Sequence, residues 1–199
     1  QNSGSALGAN GIAALALINT QVATGAALIG WLITEKLRDG HATSLGAASG
    51  AVAGLVAITP ACAFVEPWAA VLIGFIAGAI CALAVGLKYK LGFDDSLDVV
   101  GVHLFGGIWG SLSIGLFASK SANELGADGI FAGGGTHLLG IQAIGVLTVM
   151  IYSFVVTFIL GKALDATLGF RVERNDEVSG IDFAEHRETA YETLVGAKL

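Results

Sequence analysis

Five apolar runs constrain this chain more than any other feature. They cover roughly residues 9–34, 44–65, 68–87, 97–118 and 138–164. A helix that crosses the hydrocarbon of a bilayer needs about 20 predominantly apolar residues, and each run supplies them. The stretches between them are polar and mostly short: "EKLRDGHAT", "EP", "KYKLGFDDS" and the longer "SKSANELGADGIFAGGGTH". Charged residues make up only 13% of the chain and mean hydropathy is +0.76, whereas a soluble domain carries roughly 25% charged residues. A surface so poor in charge is not dressed for water. The expectation is an all-α membrane protein: a transmembrane domain of five helices over residues 1–170 and a polar tail over residues 171–199.

The loops orient the helices. With five spans, alternate loops share a side, and Lys and Arg collect on the cytoplasmic one. Lys36, Arg38, Lys88, Lys90, Lys162, Arg171, Arg174, Arg187 and Lys198 fall on one side, and Lys120 alone falls on the other. This asymmetry predicts a multi-pass protein of the cell membrane with its C-terminus in the cytoplasm and its N-terminus outside. There is no start methionine, and the first span begins soon after Gln1. The expectation is that the chain starts inside something larger or has been processed.

The spans are rich in small residues. Gly46, Gly50 and Gly54 lie four apart in the second run, as do Gly106 and Gly110 in the fourth. That spacing stacks small residues on one helix face and lets two backbones approach closely. Pro60 is placed to kink the end of the second span. Cys62 and Cys81 lie in apolar runs without CxxC spacing, so they read as small buried hydrophobes, and no metal or cofactor follows from them. No basic patch points to nucleic acid.

Polar side chains at membrane depth need a reason, because a charge at the centre of a span costs about 2.5–3.5 kcal/mol on insertion scales. Asn19, Thr20 and Gln21 cluster inside the first run, where hydrogen bonding between helices accounts for them and a pore role is the alternative. Asp98 stands at the start of the fourth, placed to cap free backbone N–H groups and to sit well in the helix dipole. His103 lies five residues further in, roughly 7.5 Å of helix rise. A neutral imidazole offers one donor and one acceptor. It can line a narrow path for a small hydrogen-bonding solute, pass a proton, or simply be satisfied by a neighbouring helix. His41, His137 and His186 fall in a loop, at a span end and in the tail.

The stretch "DDSLDVVGVHLFGGIWGSLSIGLFA" resembles the late helix of the Amt/Rh ammonium transporters, with its D-x-x-x-G-V-H-x-x-G-G pattern. "NSGSALGANGIAALALINTQVAT", "GAASGAVAGLVAITPACAFV", "YSFVVTF" and "GFRVERNDEVSGIDFAEHRETAY" agree with the family in the same order. The resemblance covers nearly the whole chain and is to the C-terminal half of a bacterial protein. It implies the last five of eleven helices, forming the second of two inverted five-helix repeats. It further implies a homotrimer with one pore per protomer. His103 matches the second of two pore histidines, Ser5 a serine that receives ammonium at the outer mouth, and Asp98 an acid that supports the histidine's helix. The tail is implied to receive a PII-type regulatory protein, and no cofactor is implied. Two positions depart from the pattern. Gln1 stands where a pore-gating Phe is usual, and Leu104 stands where a small Gly is common, which narrows the path beside His103. The first pore histidine has no counterpart in this chain.

The resemblance predicts ammonium transport. Ammonium loses a proton outside, ammonia crosses a hydrophobic lumen, and the paired imidazoles bridge the two ends. Three rivals stay open on the sequence: an ammonium sensor without net flux, a haem-binding electron-transfer protein using His103 as axial ligand, and a non-transporting remnant. A haem protein of this type would need a second histidine facing the same bundle.

Overall fold

A computed structural model describes residues 2–188, and in them helices account for every long element. The order is α1 (Gly11–Asp39), α2 (Ser44–Ile58), α3 (Pro67–Ala84), α4 (Leu87–Leu91), α5 (Phe105–Phe117), α6 (His137–Thr167) and α7 (Arg174–Ser179). A π turn, Val100–Leu104, leads directly into α5. Four helical stretches are long and apolar enough to cross a membrane: Gly11–Asp39, Pro67–Leu91, Val100–Phe117 and His137–Thr167, while Ser44–Ile58 is shorter. The described residues fall into two compact units that divide between Thr148 and Val149, within α6.

Local chemistry sets the helix ends. The Asn10 side chain accepts from the Ala13 N–H at 2.9 Å and so caps α1. α1 runs on to Asp39, further than the apolar run alone implies. Lys36 and Arg38 occupy its last turn, where the dipole favours cations, and Gly40 ends it at φ +83°. Thr43 caps α2, its hydroxyl accepting from the Gly46 N–H at 2.9 Å. Pro67 opens α3 at a position where its missing N–H costs nothing.

Pro60 does more than kink the second span. α2 stops at Ile58, residues 59–64 continue as turns, and Val65 pairs with Ala118 in an isolated antiparallel bridge. Proline cannot donate to the carbonyl four residues back, and the freed backbone groups at membrane depth must find other partners. Asn19 of α1 supplies them. Its side-chain amide, fully buried, donates to the Cys62 carbonyl at 2.8 Å and to the Val65 carbonyl at 2.7 Å. The hydrogen bonding between helices expected of the Asn19 cluster is thus directed at a broken helix end.

In the first unit α1 lies against both α2 and α3, with Ala23 and Ala27 fully buried on it. The glycines make this possible. A Cβ at Gly74 would run into the Ala23 carbonyl, and one at Gly78 into the Ala27 carbonyl. Gly50 and Gly54 of α2 meet the same stretch of α1 from another side. α5 joins through Gly110, which rests on the Ala57 backbone, and through Trp109, whose indole N–H donates to the Ile73 carbonyl at 2.9 Å. Neighbouring backbones therefore touch, which is how apolar helices gain contact energy when lipid offers no hydrophobic driving force.

Among the described residues α6 carries no buried residue. Ile144, Leu147, Tyr152, Phe154 and Phe158 are all more than half exposed. Apolar surface on this scale is made for lipid or protein contact. In the second unit Arg171 pairs with Glu177 at 2.7 Å. The guanidinium holds the Glu177 carboxyl below its ordinary range. The tail is helical over Arg174–Ser179 and again in a turn over Asp182–His186, with Ile181 and Phe183 exposed. Gln1 and residues 189–199 lie outside the described residues.

Candidate functional site

His103 sits in the π turn, and its side chain is exposed. The residues around it are not. Gly101 and Val102 before it and Gly106 after it are buried. The Val102 carbonyl lies 3.7 Å from Cys81 Sγ, and Val102 packs with Trp31, Ala53 and Ala82. One side of this segment is thus fixed in the helix bundle while the other presents an imidazole. Among the described residues that imidazole has no hydrogen-bond partner. Leu104 shares the open face and is 38% exposed. π turns of this kind hold one residue more than a regular turn and re-aim the side chains before it.

The start of the turn is built from three charges. Asp95 accepts from the Val99 and Val100 N–H groups at 2.8 and 2.9 Å, satisfying donors that a helix start leaves free. The cap expected of Asp98 therefore belongs to Asp95, three residues earlier. Asp98 takes φ +57°, a left-handed conformation that Asp visits more readily than most residues. Its backbone carbonyl accepts the first helical bond, from the Val102 N–H at 2.9 Å. Its carboxylate is turned away from the helix and accepts from Lys88 Nζ at 2.6 Å. The same ammonium donates to the Asp95 carbonyl at 2.9 Å. Neither Asp95 nor Lys88 was singled out by sequence reasoning. "DDS" offered Asp95 as a loop acid, and nothing in the spacing links Lys88 to a residue ten positions on.

Asp98 and Lys88 border a hollow of about 750 Å3 that also reaches Trp31, Glu35 and Arg38. Glu35 is only 9% exposed, and both its oxygens accept from Thr43, at 3.0 Å from the N–H and 2.8 Å from the hydroxyl. It secures the corner between α1 and α2.

Ser5 lies elsewhere. It belongs to a short 3-10 turn, Ser3–Ala6, ahead of α1. It lines a hollow of about 360 Å3 with Asn2, Ala16, Thr59, Phe64 and Asn123. Asn2 is held there by donating to Thr20 Oγ1 at 3.0 Å. Ile12 borders this hollow and Glu35 the other. Both are on α1, as are Ala16 and Trp31, which border the same two hollows, so the linings are about 22–35 Å apart along the helix. The fold therefore puts Asp98 and His103 on one segment and Ser5 at the opposite end of the bundle. His41, His137 and His186 are exposed, and neither His41 nor His137 lines a hollow. No cluster of three or more metal-ligating side chains occurs among the described residues.

Apolar helices of this length, packed against one another through glycines, define a multi-pass membrane protein. The model of the Ammonium Transporter Family matches residues 1–191, and the chain belongs to that family. It is 52% identical, over 98% of its length, to an ammonium transporter of Mycobacterium tuberculosis, of which it covers 42%. To a putative ammonium transporter of Methanothermobacter thermautotrophicus it is 48% identical over 96% of its length, covering 47% of that protein. Among solved structures it is similar to Candida albicans Mep2, with a TM-score of 0.80 and 32% identity over 87% of this chain and 40% of that one. A structure titled as a sensor Amt protein gives a TM-score of 0.81 at 32% identity, over 92% of this chain and 44% of that one. The chain thus spans slightly less than half the length of the curated relatives it matches.

Proposed function

We propose that this chain forms the second, inverted half of an ammonium-conducting pore in the cytoplasmic membrane, with His103 as one of two lumenal imidazoles. The observation that carries the reading is His103 itself: an imidazole inside an apolar span, fixed from behind by Gly101, Val102 and Gly106, and directed to the face this chain leaves open. An ammonium ion cannot enter a dry apolar lumen cheaply, because an unpaired charge in such a medium is far costlier than a neutral molecule. Losing one proton, which the paired imidazoles carry to the inner side, removes that cost and keeps the transport electrogenic. Ammonia then needs hydrogen-bond partners along the way, and a neutral imidazole offers both a donor and an acceptor. Potassium has no proton to lose, so the same lumen rejects it.

Ser5 and Asn2 line the hollow where ammonium is received, on the side assigned to the outside by the distribution of Lys and Arg. Asp98 supports the helix start that carries His103. The tail from Arg171 lies in the cytoplasm and receives a PII-type regulatory protein. The complete protein is a homotrimer, each protomer supplying its own pore.

The test is electrogenic ammonium uptake by the full-length protein in proteoliposomes. His103→Leu should abolish the current while insertion and assembly match the parent. His103→Glu should admit potassium, because a fixed carboxylate stabilises the cation in the lumen. Full, selective ammonium current in His103→Leu would refute the reading. A parent protein that binds ammonium and carries no flux would make it a sensor.

A further inference from the structure

We propose that Lys88 is a positioning residue for His103, holding the turn before it in the one conformation that directs the imidazole into the lumen. The inference rests on the reading of His103 as a pore residue. Three observations carry it.

The first is the double contact. Lys88 Nζ bonds the Asp95 carbonyl at 2.9 Å and the Asp98 carboxylate at 2.6 Å. These two acceptors bracket the turn of residues 95–98, so one ammonium fixes both ends of it. The second is what the turn does. The Asp95 side chain caps Val99 and Val100, and the Asp98 carbonyl starts the helical bonding at Val102. The rotation of the π turn about its axis is therefore set by the same residues that Lys88 holds. The third is that Asp98 is left-handed at φ +57°. An L-residue keeps that conformation only where its surroundings over-determine it. The Lys88 and Asp98 side chains are 16% and 30% exposed. Lys88 itself is carried on α4, a single turn stopped by Gly92 at φ +71°. It reaches the site from outside the helix that bears His103.

The alternative is that Lys88 contributes stability alone. Two readouts separate these roles. In the full-length protein, Lys88→Met should reach the membrane at the parent level, yet its maximal ammonium flux should fall by about tenfold, since small misplacements of a reacting group are expensive. The half-saturation concentration should stay unchanged, because Ser5 lies at the other end of α1. Lys88→Arg, which can still bridge the carbonyl and the carboxylate, should recover most of the flux. If Lys88→Met fails to insert, Lys88→Gln is measured in its place. The second readout needs no transport. With Cys62 and Cys81 replaced by alanine, His103→Cys provides a thiol on the lumenal face. Its labelling rate by a small neutral methanethiosulfonate should change several-fold when Lys88→Met is added and return with Lys88→Arg. Unchanged labelling, or equal loss of flux in Lys88→Met and Lys88→Arg, overturns the proposal. A parent without ammonium flux overturns the pore reading instead, and the labelling arm then decides the positioning claim alone.

Discussion

Asn19 offers the sharpest test of how the bundle is held. It is fully buried, and both its amide hydrogens are used, on the Cys62 and Val65 carbonyls at 2.8 and 2.7 Å. Those carbonyls are buried and belong to the irregular stretch after Pro60, not to a regular helix. Asn19→Ala removes both donors and gives neither acceptor a substitute. Hydrogen bonds between membrane helices average about 0.6 kcal/mol in double-mutant cycles, so the lower bound for the pair is about 1 kcal/mol. A buried acceptor left without a partner costs about 1–3 kcal/mol, so the upper bound is about 6 kcal/mol. The lost side-chain volume adds to this, and a loss of about 2–4 kcal/mol is the working expectation. Asn19→Asp should cost at least as much at neutral pH. It keeps the shape but points an acceptor at two other acceptors. Thr24→Val is the control. Its hydroxyl donates at 2.7 Å to Thr20 O, a carbonyl four residues back within α1, and the substitution should stay within about 0.5 kcal/mol. The assay is equilibrium unfolding of the full-length protein in mixed micelles, followed by tryptophan fluorescence. Loss of less than about 0.5 kcal/mol in Asn19→Ala would refute the claim that Asn19 repairs the helix break.

Two further outcomes follow from the placement of Ser5 and of the tail. Ser5→Ala in the full-length protein should raise the half-saturation concentration for ammonium about 2- to 10-fold, the worth of one hydrogen bond, with a smaller effect on maximal flux; an unchanged half-saturation would remove Ser5 from the receiving site. Deleting residues 180–199 should lower flux and weaken retention of a purified PII-type protein while leaving insertion intact, and a truncation equal to the parent in both would make the tail a solvated end.

What could be read from the sequence was whatever depends on one helix at a time. Apolar runs mark spans because lipid contact is a property of each helix surface, and four of the five runs carry a helix of spanning length, while α2 stops at Ile58, short of its run. Glycines four apart mark a close-packing face, and Gly50 and Gly54 do meet α1. Of the cluster Asn19, Thr20 and Gln21, only Asn19 donates to another element as expected; Thr20 donates to the Ala16 carbonyl within α1 and Gln21 is exposed. The Asn19 acceptors lie in the irregular stretch between α2 and α3, 43 and 46 residues along the chain. Caps were harder. Asp98 adjoins the helix and had the right chemistry, yet Asp95 reaches back over a turn and fills the role. A left-handed Asp98 leaves its carboxylate facing Lys88, and no periodic pattern encodes that conformation.

The same distinction bears on His103. Its type and depth were evident from sequence, and they raise the question of an imidazole in an apolar span. Its direction is not a property of its own helix. A regular helix through residues 100–117 would fix the angle between His103 and the packed glycines Gly106 and Gly110. The π turn alters that angle, and the turn is anchored by side chains from α4 and from the loop that follows it. If His103 faces a lumen formed with a second inverted half, as proposed, contacts inside that lumen cannot orient it, since those would occupy the path. It has to be oriented from behind and from its base. In this chain Gly101 and Val102 hold it from behind, and Asp95, Asp98 and Lys88 hold it from its base. The open face is left to the imidazole and Leu104. A change at Leu104 should therefore alter the width of the path, whereas a change at Lys88 should alter where the histidine points.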